Sequence, residues 1–491
     1  MSWSMLTKRA AMQMRSLQPA FVQTFPKIIR PPKSDRLLAP CLSALWAADA
    51  AAPELIIAAD GRTEAVVVVS PEAGQPEKKT QQAPQLEQDS GDTNKTAGFQ
   101  SGSRTGETPM TVSRTSKGTP IVHMWECPRP DPVKPGAGYP ILEGATHTKV
   151  YHATPETGGY SHHARLAVHN GIFYAMWSNH PKGEDSPGQF VRFSISRDGK
   201  TWSEPRRLFP PYGEIKGFNQ LGSYGHAAGW VAVEGKLWGG MQLTNHGLKG
   251  RENLGMVIRS VDASDADVAL GPIFLLPGGK GLMATEPLAK EIAPPSEVTR
   301  ATAEALRHAI ASGAHPAGER TAVDTRGPCE PVYYRAKDGK HVCLLRDDEY
   351  SHRMYLSVLV DGRAWPAAQP TDIPDSPSLS DAVVLGDGTV LLIGNQMAPR
   401  FDNPKEVSHY GRDPLMVSVS SDGYRFTRAY ALRTGQQKFR VPNVGGRGGG
   451  GQYPSSLVHN ERLYVLYSMG KEDIWISSVA LRDLGIGAGR K

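Results

Sequence analysis

Ser196-Arg197-Asp198-Gly199-Lys200-Thr201-Trp202 is the stretch whose reading decides the fold of this chain. It closes the β-forming run Phe190 to Ser196 (FVRFSIS) and has the chemistry of a tight turn. A short carboxylate at Asp198 can accept the backbone N–H groups just ahead of it. Gly199 supplies a backbone conformation that side chains resist, and Trp202 gives the turn an apolar anchor. A weaker copy, Ser420-Ser421-Asp422-Gly423-Tyr424-Arg425-Phe426, closes the run LMVSVS at 415–420. A degenerate third, Val360-Asp361-Gly362-Arg363-Ala364-Trp365, closes MYLSVLV at 354–360. The same turn at the end of three β-runs predicts a repeating β-architecture.

Outward from these turns the pattern recurs as an apolar strand, a polar turn and a second apolar or aromatic strand. It appears at 166–178 (LAVHNGIFYAMWS), 230–240, 331–346, 382–395 and 456–468 (SLVHNERLYVLYS). Asn170-Gly171, Asp338-Gly339 and Asp387-Gly388 are dipeptides favoured in tight hairpins. A further strand follows most units, as at 190–196, 354–360, 415–420 and 473–479. Three or four antiparallel strands per unit, repeated, predict an all-β propeller of six or seven blades over residues 119–491. The 52 glycines and 39 prolines suit many short strands and turns. Residues 281–325 break the repeat; Ala301 to Ser312 reads as a helix in an insertion over one face.

The N-terminal part reads differently. Residues 1–36 carry seven basic side chains against Asp35, which accounts for the whole formal charge of +6. The folded part is then electrically balanced, and a basic nucleic-acid surface is not expected. Leu37 to Ala48, behind Lys33 and Arg36 and ahead of Ala48-Asp49-Ala50, has the form of a secretory signal within a leader at 1–52. That form predicts a secreted or periplasmic protein. Residues 53–77 resemble the start of a small α/β domain found ahead of catalytic domains in bacterial glycosidases, cut short here. Residues 78–118 are polar and charged and read as a disordered linker. No run of eighteen apolar residues predicts a membrane span. The cysteines 41, 127, 329 and 343 show no CxxC spacing; Cys329 and Cys343 flank one hairpin, as a disulfide or as two buried thiols.

The Ser-x-Asp-Gly-x-Thr-Trp turn resembles the Asp-box of sialidases, and Gly448 to Leu484 is similar to the end of bacterial exo-sialidase-like (BNR-repeat) proteins. In the family Ser196, Asp198, Gly199, Thr201, Trp202, Asp422 and Gly423 would be structural. The resemblance implies a secreted carbohydrate-active enzyme, a glycoside hydrolase acting on an acidic poly- or oligosaccharide, with no cofactor and as a monomer. It also implies a tyrosine nucleophile at Tyr453 in Tyr453-Pro454-Ser455-Ser456-Leu457, with Glu330 orienting or activating it. Arg165 and Arg346 would clamp a substrate carboxylate. The Arg-Ile-Pro type motif of the family is replaced by Arg165-Leu166-Ala167, and spacing assigns no acid/base aspartate.

A second constellation lies at 160–189, where His162, His163 and His180 stand at one hairpin end with Glu184 and Asp185 close behind. Tyr224 and His226 precede the next repeat. The region resembles propeller lyases and rhamnosidases that act on uronic-acid polysaccharides, and that resemblance implies β-elimination by His162, His163, His180 and Tyr224. Those lyases carry an arginine some sixteen residues after the tyrosine; position 240 is Gly, and Arg251 is the next candidate. His162, His163 and Asp185 offer metal-ligand chemistry without a standard ligand spacing, so no metal is expected. Gly445 to Gly451 lacks the Lys-Ser/Thr of a phosphate-binding loop. A non-catalytic glycan-binding propeller is the third reading.

Overall fold

The computed structural model describes residues 110–114, 120–212, 223–233, 235–247, 250–264, 267–277, 292–293, 327–348, 351–359, 365–397, 412–441 and 448–487. The expected leader, the α/β remnant and most of the linker lie outside these residues. So do the third Asp-Gly turn at 360–364 and the insertion at 281–325, apart from 292–293.

Three N-terminal strands come first, β1 (Val112–Arg114), β2 (Pro120–Val122) and β3 (Thr146–Tyr151). The first sheet follows as β4 (Tyr160–His169), β5 (Ile172–His180), β6 (Phe190–Ser196) and β7 (Arg206–Phe209). The second holds β8 (Ser223–Val233), β9 (Lys236–Gly247), β10 (Gly250–Ala263), β11 (Val268–Leu270), β12 (Ile273–Pro277) and β13 (Ile292–Ala293). The third is β14 (Pro328–Arg335), β15 (His341–Asp347), β16 (Arg353–Leu359) and β17 (Gln369–Pro374). The fourth is β18 (Asp381–Val384), β19 (Val390–Gly394), β20 (Leu415–Ser420) and β21 (Phe426–Arg433). The fifth is β22 (Gly451–His459), β23 (Arg462–Met469) and β24 (Asp473–Ala480).

Consecutive strands within each sheet pair antiparallel for the most part, with parallel pairs at β12–β13 and β17–β2, and the early strands complete later sheets. β3 pairs with β24, Thr148 opposite Ile476, so an early strand completes the fifth sheet beside the last strand. β2 lies beside β17, with β1 outside it. The first strands of neighbouring sheets touch, β8 to β4, β4 to β22, β22 to β18 and β18 to β14. These are blades of a propeller whose centre is lined by first strands. The described residues supply five of the six or seven blades expected from the repeats.

Blade stacking follows from strand periodicity. Side chains alternate between faces of a strand, and a middle strand buried on both faces must be apolar throughout. In β5, Tyr174 and Met176 pack toward the second blade with Met241, Leu243 and Val257, whereas Phe173, Ala175 and Trp177 pack toward the fifth with Tyr464 and Leu466. In β19, Leu392 packs with Leu344 and Leu356 of the third blade, while Leu391 and Ile393 pack with Leu463 and Val465 of the fifth. Each such side chain contributes about 1.5–3 kcal/mol by leaving water.

The Asp-box turns hold as their chemistry predicts. Asp198 Oδ1 accepts from Lys200 N at 2.8 Å and Thr201 N at 2.7 Å, while Ser196 Oγ accepts from Gly199 N at 2.9 Å. Trp202 packs on the core between blades five and one. In the second copy, Asp422 Oδ1 accepts from the backbone N–H of Tyr424 and Arg425, each at 2.8 Å, and Phe426 is fully buried. Cys329 and Cys343 are not bridged; both are buried thiols. Sheet register explains this, because Cys329 faces Arg346 across the ladder and Cys343 faces Tyr333.

Candidate functional site

Three first strands carry a β-bulge at matching depth, between His162 and Arg165 in β4, Cys329 and Val332 in β14, and Gln452 and Ser455 in β22. At each bulge one residue that is not glycine adopts a left-handed backbone: His163 (φ 53°), Glu330 (φ 49°) and Tyr453 (φ 54°). A bulge re-aims a side chain that the strand's alternation would otherwise direct elsewhere. A left-handed backbone costs a residue bearing a Cβ on the order of 1–2 kcal/mol. Such strain clusters where function over-determines the geometry.

Tyr453 is the hub. Its hydroxyl donates to Glu330 Oε1 at 2.6 Å and accepts from Arg346 Nη1 at 2.7 Å. Arg346 also pairs with Glu330 Oε2 at 2.8 Å and with Asp348 Oδ1 at 2.7 Å. Burial raises the Tyr453 hydroxyl well above the ordinary phenol range, Arg346 working against it and Glu330 with it. For the Arg346 guanidinium, burial disfavours the charge, but Glu330 and Tyr453 outweigh it and hold the pKa well above its usual value.

Arg412, buried at the entry to β20, stands 5.3 Å from the Tyr453 ring and bonds Gln452 Oε1 and the Pro377 carbonyl. Arg165 is half-buried nearby and donates to the Ala228 carbonyl at 3.3 Å; desolvation lowers its pKa, while Asp381, Glu330 and Tyr453 support its charge. Asp381 accepts from Ser456 N at 2.6 Å and Ser456 Oγ at 2.7 Å, tying β18 to β22. Asp375 is fully buried, and burial pushes its carboxyl up to about 8 against the opposing charges of Arg346 and Arg412.

The opposite wall is histidine. The His162 ring lies 4.0 Å from that of Tyr453, and His163 lies 4.7 Å from His162 and 4.5 Å from His226. His226 Nε2 bonds Asp185 Oδ1 at 2.7 Å. His163 Nε2 lies 3.4 Å from Glu184 Oε1, and Lys471 Nζ bonds Glu184 Oε2. Burial pushes His162 well below the imidazole range and His163 down to about 4, so both are neutral near pH 7. Burial opposes the charge of Glu184, but Lys471 and His163 outweigh it and hold the carboxyl well below its usual range.

The tertiary structure thus merges the two constellations that the sequence kept apart: His162, His163, Tyr453, Glu330, Arg346 and Arg165 share one region. His180 does not join them. It ends β5 opposite Tyr160, and its Nδ1 accepts from Lys182 N and Gly183 N, capping a turn. Tyr224 lies in β8 opposite Thr244, and its side chain falls outside the described residues. Arg251 lies in β10 opposite His246, likewise without a described side chain. Arg412 and Lys471 were not legible in advance. The one local signal for each is a cation in a strand-connecting segment beside acidic residues, Arg412-Asp413 and Lys471-Glu472-Asp473.

The fold is a β-propeller similar to that of a solved sialidase. Residues 280–465 match the BNR repeat-like domain family, and residues 144–271 match the BT_1020-like N-terminal beta propeller family. Both matches cover parts of the chain and agree with its repeat-built β-propeller fold. A solved structure described as a sialidase is 20% identical with a TM-score of 0.57, the match covering 73% of this chain and 35% of that one. The chain therefore spans about a third of that sialidase. A Hadza microbial sialidase is 14% identical over 69% of each chain (TM-score 0.45). A Trypanosoma rangeli sialidase mutant displaying trans-sialidase activity is 13% identical over 71% of this chain and 61% of its own (TM-score 0.42). No curated protein matches the chain.

Proposed function

We propose that the protein is a glycoside hydrolase that removes acidic sugars from glycans outside the cytoplasm, with Tyr453 as nucleophile. The observation that carries this reading is the Tyr453 hydroxyl held between Glu330 at 2.6 Å and Arg346 at 2.7 Å. A phenol kept protonated by burial is a poor nucleophile until a base takes its proton, and Glu330 is placed to do so. A neutral nucleophile also suits an anionic sugar, because it does not repel the substrate carboxylate.

Arg346, Arg412 and Arg165 surround the tyrosine with positive charge, the environment a carboxylate-bearing sugar requires. In the proposed cycle the Tyr453 oxygen bonds to the anomeric carbon as its proton passes to Glu330. The bond to the leaving oxygen breaks as that oxygen takes a proton from the His226–Asp185 pair. Water then attacks the same carbon and gives its proton back to the His226–Asp185 pair, while the bond to Tyr453 breaks and the phenol oxygen recovers the proton held by Glu330. The signal-like stretch at 37–50 supports action outside the cytoplasm.

The test is incubation of the purified protein with a panel of acidic glycans, following free sugar and ultraviolet absorbance together. Saturated sugar released without a new absorbance, and lost in Tyr453→Phe, supports the reading. Absorbance from a new conjugated double bond overturns it in favour of elimination by the histidine wall. Binding with neither signal overturns it in favour of a glycan-binding propeller.

A further inference from the structure

We propose that His162, His163 and Glu184 form a binding site for a divalent transition metal ion beside Tyr453, with zinc as the probe. This goes beyond the hydrolase reading and does not depend on it. Consecutive residues of a strand point to opposite faces, so His162 and His163 should not meet. The bulge in β4 and the left-handed backbone of His163 bring both rings to one side, with centroids 4.7 Å apart. One ligand atom from each of His162, His163 and Glu184 lies within 4.8 Å of the others. The His163 Nε2 to Glu184 Oε1 separation is 3.4 Å, already close to the spacing of two donors on a tetrahedral zinc with bonds of about 2.0–2.2 Å.

The far sides of the donors are held as metal ligands require. His162 Nδ1 bonds Ser468 Oγ at 2.6 Å, and His163 Nδ1 bonds Ser178 Oγ at 3.2 Å. With each Nδ1 anchored on a hydroxyl, each Nε2 is the nitrogen left to coordinate. Lys471 fixes Glu184 through Oε2 and leaves Oε1 turned to His163. The independent observation is His162 Nε2. His162 is wholly buried, yet this nitrogen meets no hydrogen-bond partner among the described residues. An orphaned polar atom at that depth is destabilising, and a coordinated cation satisfies it. Imidazole nitrogens select zinc, copper, nickel or iron over magnesium and calcium. Asp185, which the sequence placed in such a set, instead holds His226.

The test uses the full chain without a histidine tag. Zinc titration by calorimetry should give one site per chain, and cobalt(II) should produce the visible bands of a four-coordinate centre. His162→Ala should weaken zinc at least 100-fold. Ser468→Ala, which keeps every ligand, should weaken it 10–100-fold. Wild-type protein that takes up no stoichiometric zinc overturns the proposal, as does unchanged zinc affinity in His162→Ala. If His162→Ala does not fold, the wild-type cobalt spectrum decides: bands of a six-coordinate aquo ion alone overturn the site. None of these readouts passes through glycan hydrolysis, so failure of the hydrolase reading leaves them intact.

Discussion

Tyr453 and Glu330, 123 residues apart, share a hydrogen bond of 2.6 Å, and both side chains reach it from left-handed bulge positions on different blades. The pair exists because two strands are bent at the same depth. Removing the hydroxyl with Tyr453→Phe should lower turnover by about 10³-fold or more, while the melting temperature moves little, since Arg346 still pairs with Glu330. Steady-state kinetics beside a thermal melt checks both halves.

Arg346→Met would leave Glu330 facing the buried phenol without its cation. Stability should fall by about 2–4 kcal/mol, less than for a wholly buried pair, because Glu330 keeps 28% of its side-chain surface exposed. Adding Glu330→Gln should recover more than half of the loss. Urea denaturation of the two single variants and the double variant measures the coupling.

Asp375 gives stability a pH dependence of the less usual sign. Its folded carboxyl is pushed up to about 8 by burial, with Arg346 and the Asp347 backbone opposing and the Asp347 charge adding to it. Unfolded aspartate titrates near ~3.9, so between roughly pH 4 and pH 8 the folded state holds a proton that the unfolded state has lost. The contribution of Asp375 therefore falls as pH rises through that window. Asp375→Asn should melt higher than wild type at pH 8, with the difference vanishing near pH 4.

Gly199 sits at φ 69°, and a Cβ there would lie 2.9 Å from Tyr464 Cε1. Gly199→Ala should cost about 1–3 kcal/mol through backbone strain and crowding between blades one and five. Activity per folded molecule should be unchanged, because the turn is remote from Tyr453 in role. Comparison of melting temperature with kcat on the native fraction separates the two.

Cys329 and Cys343 should both alkylate on denaturation without prior reduction, as peptide mass mapping would show. Burial pushes the Cys343 thiol up to about 12, so it offers no thiolate at neutral pH, and the sheet register keeps the two cysteines on different pairs. Reducing agent should leave the melting temperature unchanged.

What the sequence determined by itself is local and periodic. The Asp-box turn at 196–202, the Asn170-Gly171 hairpin and the apolar runs of β5, β19 and β23 dictate blades, because turn chemistry and strand alternation act over a few residues. Tyr453, Glu330, Arg346 and the His162-His163 pair were legible as chemical candidates. Which of them meet was not. Strand periodicity sends neighbours to opposite faces, and only three bulges, stabilised by contacts between blades, turn His163, Glu330 and Tyr453 toward one another. His180 fell away because a turn claimed its ring nitrogen. Arg412 and Lys471 entered because distant loops deliver them to the centre, a placement that no spacing along the chain encodes.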